Sequence, residues 1–182
     1  NVNSDGKVIM APENRIAAFK AINKAIALSK TVSVKEQAYI SALSSRYDGN
    51  PATNRDPLDI AYANAMEKLS KNFPDDNDAA SLFAEALMNT MPWNYWAEDG
   101  DPKPDTIKVI DSLESVLVKN PNHPLAIHLY IHAVEASSDP ARAEGPADRL
   151  GKLVPGAGHL VHMPAHIYWR IGRYHDASLV NI

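Results

Sequence analysis

The sequence predicts an all-α fold of antiparallel helix pairs, about nine helices in all. Three observations carry this. Apolar residues from Glu13 onward recur at 3–4 spacing almost throughout, strand-type alternation is weak everywhere, and several residue types recur 34 positions apart. The 34-residue recurrences are Pro121 with Pro155, His128 with His162, His132 with His166 and Ala143 with Ala177.

Composition narrows the functional classes. The chain has 182 residues, 45% of them hydrophobic, which is enough to bury a core. With 18 basic and 22 acidic residues its net charge is −4, so no basic surface argues for nucleic acid. The absence of cysteine excludes disulfides, thiolate metal sites and cysteine nucleophiles, and leaves the redox compartment unread. No apolar run reaches the roughly 18 residues that span a bilayer. No signal peptide is visible either; the expectation is a soluble protein, cytoplasmic or periplasmic, with the compartment left unknown because targeting information can be missing from the chain. The chain starts at Asn1 rather than Met and stops inside a helical pattern, which reads as a processed or truncated product.

The elements follow in order. Residues 1–11 show no helical period, and Asn1–Gly6 imitates the start of a calcium loop. Its twelfth position is Pro12 rather than a glutamate, which discounts that reading. Ile16, Phe19, Ile22 and Ile26 mark a helix from Pro12 to Ser29. Ser33 and Glu36 form a capping box ahead of a helix at Val34–Arg46. The stretch Asp48–Asp56 carries Gly, Pro and Asn and reads as a loop. Helices are then expected at Pro57–Asn72, Asp78–Thr90, Pro104–Lys119, Pro124–Ala136, Pro140–Leu153 and His159–Ile171, with a last one from Tyr174. Pro164 lies inside the segment from His159. It removes one backbone donor, so that helix either kinks or begins again near Met163.

Pro74 and Pro121 are 47 residues apart, 13 more than the period. The excess matches the segment 91–103, which holds Trp93-Asn94-Tyr95-Trp96 and the acidic run Glu98-Asp99-Gly100-Asp101. We read it as an aromatic-acidic insertion in a single helical-repeat domain spanning 12–182. The tryptophans serve either as a lid or aromatic wall or as a plug for the gap, and the acidic run as a solvated turn.

The period of 34, the run Ile167–Ala177 with its Gly172-x-Tyr174 and Ala177, and the turn Asn120-Pro121-Asn122 resemble the tetratricopeptide repeat (TPR) superfamily. More loosely, Pro92–Trp96, Ile131–Ser137 and His162–Ile167 resemble uncharacterised bacterial TPR proteins. The resemblance implies a right-handed superhelical array whose concave groove binds peptides or proteins. It places His128, His132, His159, His162 and His166 on that groove, together with Trp169. Ser81, Glu85 and Asn89 take the corresponding polar positions of an earlier repeat, and Trp93 and Trp96 border it.

Helix geometry gives the histidines a second meaning. His128 and His132 are separated by four residues and share one face; so are His162 and His166. First helices of successive repeats pack about 8–10 Å apart, so imidazoles from both can meet around one ion. Zn²⁺, Ni²⁺ and Cu²⁺ all accept neutral imidazole. The expected ligands are His128, His132, His162 and His166, with Glu135 as a ligand or as an acceptor that sets a histidine tautomer. The alternatives are hydrogen-bonded histidines lining a polar groove, which takes precedence, and buried structural histidines. His123 and His175 lie near turns and read as solvated.

Enzyme signatures are absent: no Gly-x-Ser-x-Gly, P-loop or Gly-x-Gly-x-x-Gly. The His-x-x-x-His pairs lack the glutamate that would follow the first histidine of a metalloprotease helix. The expectation is therefore a binding scaffold rather than an enzyme, with a metal-binding protein, or a hydrolase built on the metal, as the alternative. A last helix with a bare apolar face suggests a homodimer through that end.

Overall fold

Most of the α-helices among the described residues begin where the chain supplies a cap or a proline. Prolines stand in the first turn of α1 (Pro12–Leu28), α3 (Asp56–Asn72), α5 (Pro104–Lys119) and α6 (Pro124–Val134), where their missing N–H costs nothing. Ser33 and Glu36 form the reciprocal capping box of α2 (Val34–Ser44). The Asp76 carboxylate accepts from the first-turn amides of α4 (Asn77–Met88) at 3.1 Å. The remaining helices are α7 (Glu144–Leu153), α8 (Gly158–His162), α9 (Pro164–Arg170) and α10 (Tyr174–Leu179).

This computed structural model describes residues 10–50 and 52–182. Among them the chain is all-α, with one isolated bridge between Trp96 and Pro102. The Asn1–Gly6 calcium-loop reading lies outside the described residues. No helix among them is long and apolar enough to cross a membrane. Two boundaries differ in kind from expectation. The segment from Pro140 opens as a 3-10 turn (Pro140–Ala143) before α7, and the segment from His159 is broken at Met163 into α8 and α9. The break sits where Pro164 cannot donate.

The chain divides into two compact units, Asn1–Trp93 and Asn94–Ile182, within the 91–103 segment. In the first unit α1 packs on α2, α2 on α3 and α3 on α4. Its core is built from Ile22, Tyr62, Met66, Leu69 and Phe83, the α3 members falling on one helical face. Trp93 closes this unit with a left-handed φ of 60° and a largely exposed ring.

In the second unit α5 packs on α6, α6 on α7, α7 on α8 and α9, and α9 on α10; α6 also meets α9. Each helix thus pairs with its sequence neighbour, and α7 serves both α6 and α9. Thr106, Val109, Ile110, Leu113 and Val116 follow 3–4 spacing and form the buried stripe of α5. α6 is apolar nearly all round because α5 and α7 cover two sides of it; Ile127, Ile131 and Val134 are fully buried. Its polar exceptions are His128 and His132.

Two clasps of the same residue types, tyrosine, carboxylate and arginine, lie in this unit. Tyr130 Oη donates to Glu114 Oε1 at 2.6 Å, with the Arg142 guanidinium 5.8 Å above the ring and bonded to Glu114. Tyr168 Oη donates to Asp148 Oδ1 at 2.7 Å, with Arg173 4.2 Å above the ring and bonded to Asp148. Glu114 and Asp148 are one 34-residue period apart. The tyrosines are 38 residues apart and the arginines 31, so of the three partners only the acidic residue keeps that spacing.

Candidate metal centre

The α6 start positions the first histidines. His123 Nδ1 accepts the Ala126 amide at 3.2 Å and caps the helix; it is buried rather than solvated. Four-residue spacing then puts His128 and His132 on one face, their ring centroids 5.0 Å apart. Glu135 is the C-cap residue, one turn further along.

α8 and α9 supply the rest. α8 carries His159 and His162, and α9 carries His166. The Met163 residue between them keeps a right-handed helical conformation (φ −52°, ψ −37°), so the break costs one hydrogen bond and leaves the 3–4 spacing usable. His162 and His166 rings stand 5.0 Å apart, the same separation as in the α6 pair. Because α6 packs on α9, all five imidazoles form one cluster.

Glu135 organises it. Its Oε1 accepts from His132 Nδ1 at 2.9 Å and its Oε2 from His166 Nδ1 at 2.6 Å. A carboxylate only accepts, so both rings carry their proton on Nδ1, and in the neutral form both Nε2 atoms present lone pairs. On the other side of His132, His128 Nε2 lies 3.1 Å from His159 Nε2. One ligand atom each from His128, His132 and His159 falls within 4.8 Å of the others, as do atoms of His132, Glu135 and His166. The second group is already accounted for by N–H···O hydrogen bonds. The first consists of imidazoles with no carboxylate among them and has the composition of a three-histidine ligand set.

Electrostatics follow from the same contacts. Burial pushes the Glu135 carboxyl up, but hydrogen bonds from His132 and His166 outweigh it and hold the group at about 2. Glu135 is thus an anion wherever the cluster is folded near neutrality. Burial, then the charges of His132, His159 and His166, lowers His128 to about 4. His159 is lowered by the same kinds of cause. The Glu135 hydrogen bond raises His166. His128 and His159 are therefore kept neutral, the form a metal requires.

His162 has its own acceptor. Its Nδ1 is 2.5 Å from Asn181 Oδ1, while Asn181 Nδ2 donates to the Ala177 carbonyl at 2.6 Å. The amide's orientation is set by that second bond, so the oxygen faces His162. Nothing in the sequence marks Asn181, because its reach depends on where α10 returns after the turn at Gly172.

The expected ligands therefore divide. His128 and His132 group with His159, whereas His162 pairs with His166 and Asn181. Trp169, three residues past His166, is 62% exposed. Trp96 Nε1 donates to the Ala133 carbonyl at 2.9 Å, satisfying a free carbonyl at the end of α6. The same indole lines a cleft of about 360 Å³ with Ile107, Ile110, Ser137 and Arg142, and no cluster histidine borders that cleft. Glu98, Asp99 and Asp101 are exposed around a turn closed by Ala97 N–H to Asp101 O, consistent with a solvated turn. Ser81, Glu85 and Asn89 belong to α4 and its cap in the first unit, and Trp93 ends that unit.

No protein-family model matches the chain, and searches of curated proteins and of solved structures likewise return no match.

Proposed function

We propose that this protein binds a divalent transition-metal ion of the zinc, nickel or copper class through His128, His132 and His159, with Glu135 orienting His132. The observation that carries this reading is the convergence of one ligand atom each from His128, His132 and His159 within 4.8 Å, with the His132 ring oriented by its Nδ1 hydrogen bond to Glu135. An all-imidazole donor set favours zinc, nickel and copper over magnesium or calcium, which prefer oxygen. Three protein nitrogens leave a fourth tetrahedral position for water or a ligand.

The test is metal analysis of protein purified without a histidine tag, followed by zinc titration calorimetry. Stoichiometric zinc in the native protein, with affinity for this site lost in a His128→Ala/His132→Ala variant that keeps its helical circular dichroism, is the expected result. Zinc binding indistinguishable between the two proteins would sink the reading.

A second reading, a helical-repeat scaffold that binds a peptide or protein partner, rests on the packing of successive helix pairs and on the exposure of Trp169 beside the histidine face. A displayed-peptide screen with and without zinc tests it. Enriched sequences should lose binding to Trp169→Ala; failure to enrich any sequence under either condition would count against it.

A further inference from the structure

The five histidines do not share one proton problem. In the His128–His159 pair, a tautomer choice suffices: one Nε2 keeps its proton and donates to the other across 3.1 Å. The His162–His166 pair has no such freedom. His166 must hold its proton on Nδ1 to serve Glu135 Oε2, and His162 must hold its proton on Nδ1 to serve Asn181 Oδ1. Both Nε2 atoms are then bare in the neutral rings, yet they face each other at 3.1 Å. Two lone pairs at that distance repel unless a proton or a metal ion lies between them.

From this we infer a second metal position, held by Nε2 of His162 and Nε2 of His166, distinct from the three-histidine position of His128, His132 and His159; the inference rests on the metal-binding reading given above. The geometry suits an ion. Zinc takes imidazole nitrogen at about 2.0–2.1 Å, and two nitrogens at that distance in a tetrahedron lie about 3.3 Å apart, close to the separation seen here. The i, i+4 spacing by which two helical histidines share an ion is kept across the break, because Met163 between α8 and α9 retains a right-handed helical conformation. Both rings have their outer nitrogen tied to an oxygen acceptor, which fixes ring orientation and raises donor strength.

Glu135 links the two positions. One of its oxygens orients His132 of the first set, and the other orients His166 of the second. The anion can thus offset charge at both. The second ion has two protein nitrogens, so its remaining positions are open to water or to an oxygen ligand. The first has one position open. Two ions with exchangeable positions inside one cluster form a dinuclear centre.

Native mass spectrometry and elemental analysis of the tag-free, zinc-loaded full chain read the stoichiometry directly. Two zinc ions per chain are expected in the native protein. One is expected in His162→Ala, and one in a His128→Ala/His159→Ala variant. Asn181→Leu, which leaves every ligand in place, should weaken one of the two binding steps by tenfold to a hundredfold and spare the other. One zinc in the native protein and one in His162→Ala would overturn the second position, with a proton shared between His162 and His166 in its place. Loss of all zinc in either variant would overturn it too, by making the cluster a single site. No zinc in the native protein would remove the metal-binding reading itself. Circular dichroism of each variant separates ligand loss from unfolding.

Discussion

Glu135 accepts the Nδ1–H of His166 at 2.6 Å, joining the end of α6 to the first turn of α9 across 31 residues of chain. The same carboxylate takes His132 from its own helix. One acidic residue therefore sets the tautomers of two histidines on two elements, and the cluster depends on its having two acceptor oxygens.

Replacing Glu135 by Gln tests that dependence. The amide keeps the shape but offers one acceptor and an NH₂ group. One of the two histidines must then turn its proton to Nε2 and block a ligand atom. Zinc affinity should fall by about tenfold to a hundredfold in calorimetry, with the fold retained. Unchanged affinity would mean that the carboxylate does not orient the ligands.

The pH dependence of the metal-free protein follows from the directions of three shifts. His128 stands at about 4 when folded against an ordinary 6.5, so the unfolded chain binds more protons between those values. Stability therefore falls as pH drops through that window, and His159 adds to the same slope. Glu135, lowered from 4.5 to about 2, contributes stability that is lost as pH falls from the higher value to the lower. His166 is raised, so its contribution is complete below 6.5 and declines as pH climbs through its folded value. Melting temperature in chelator should peak near pH 6.5. In His128→Gln the acid-side slope should flatten; an identical slope in that variant would contradict the assignment.

The tyrosine clasps should contribute modestly and the core heavily. Tyr168→Phe keeps the ring under Arg173 and loses only the bond to Asp148, costing about 1 kcal/mol. Leu150, fully buried on α7, should cost about 2–5 kcal/mol when cut to Ala. Urea unfolding that ranks the two in the opposite order would mean that the clasps, and not α7 packing, hold the second unit together.

Gly49 is required in the first unit for two reasons. Its φ is +78°, and a Cβ there would lie 2.5 Å from Cδ1 of Phe19 on α1. Gly49→Ala should destabilise by about 1–3 kcal/mol. A Gly49→Ala/Phe19→Leu double variant should recover part of that loss in thermal melts and leave the backbone cost; full recovery would mean the conformation carries no strain.

Local signals in the chain were sufficient for the helices. Repeating apolar residues at 3–4 spacing, proline at first turns, the Ser33–Glu36 box and the 34-residue period place α1 to α7 within a few residues, because these are short-range effects. The same local geometry pairs His128 with His132 and His162 with His166. The period foresaw that both pairs would face one another. It did not foresee that His159 would side with His128, that Glu135 would serve both helices, or that Asn181 would seize His162 from 19 residues away. Those contacts depend on how α8 to α10 turn after Pro164 and Gly172 and settle on α6 and α7. Periodicity defines a helix face but carries no information on how far a neighbouring helix slides along it. A few ångströms of that slide decide which imidazole nitrogens meet an oxygen and which are left to meet an ion.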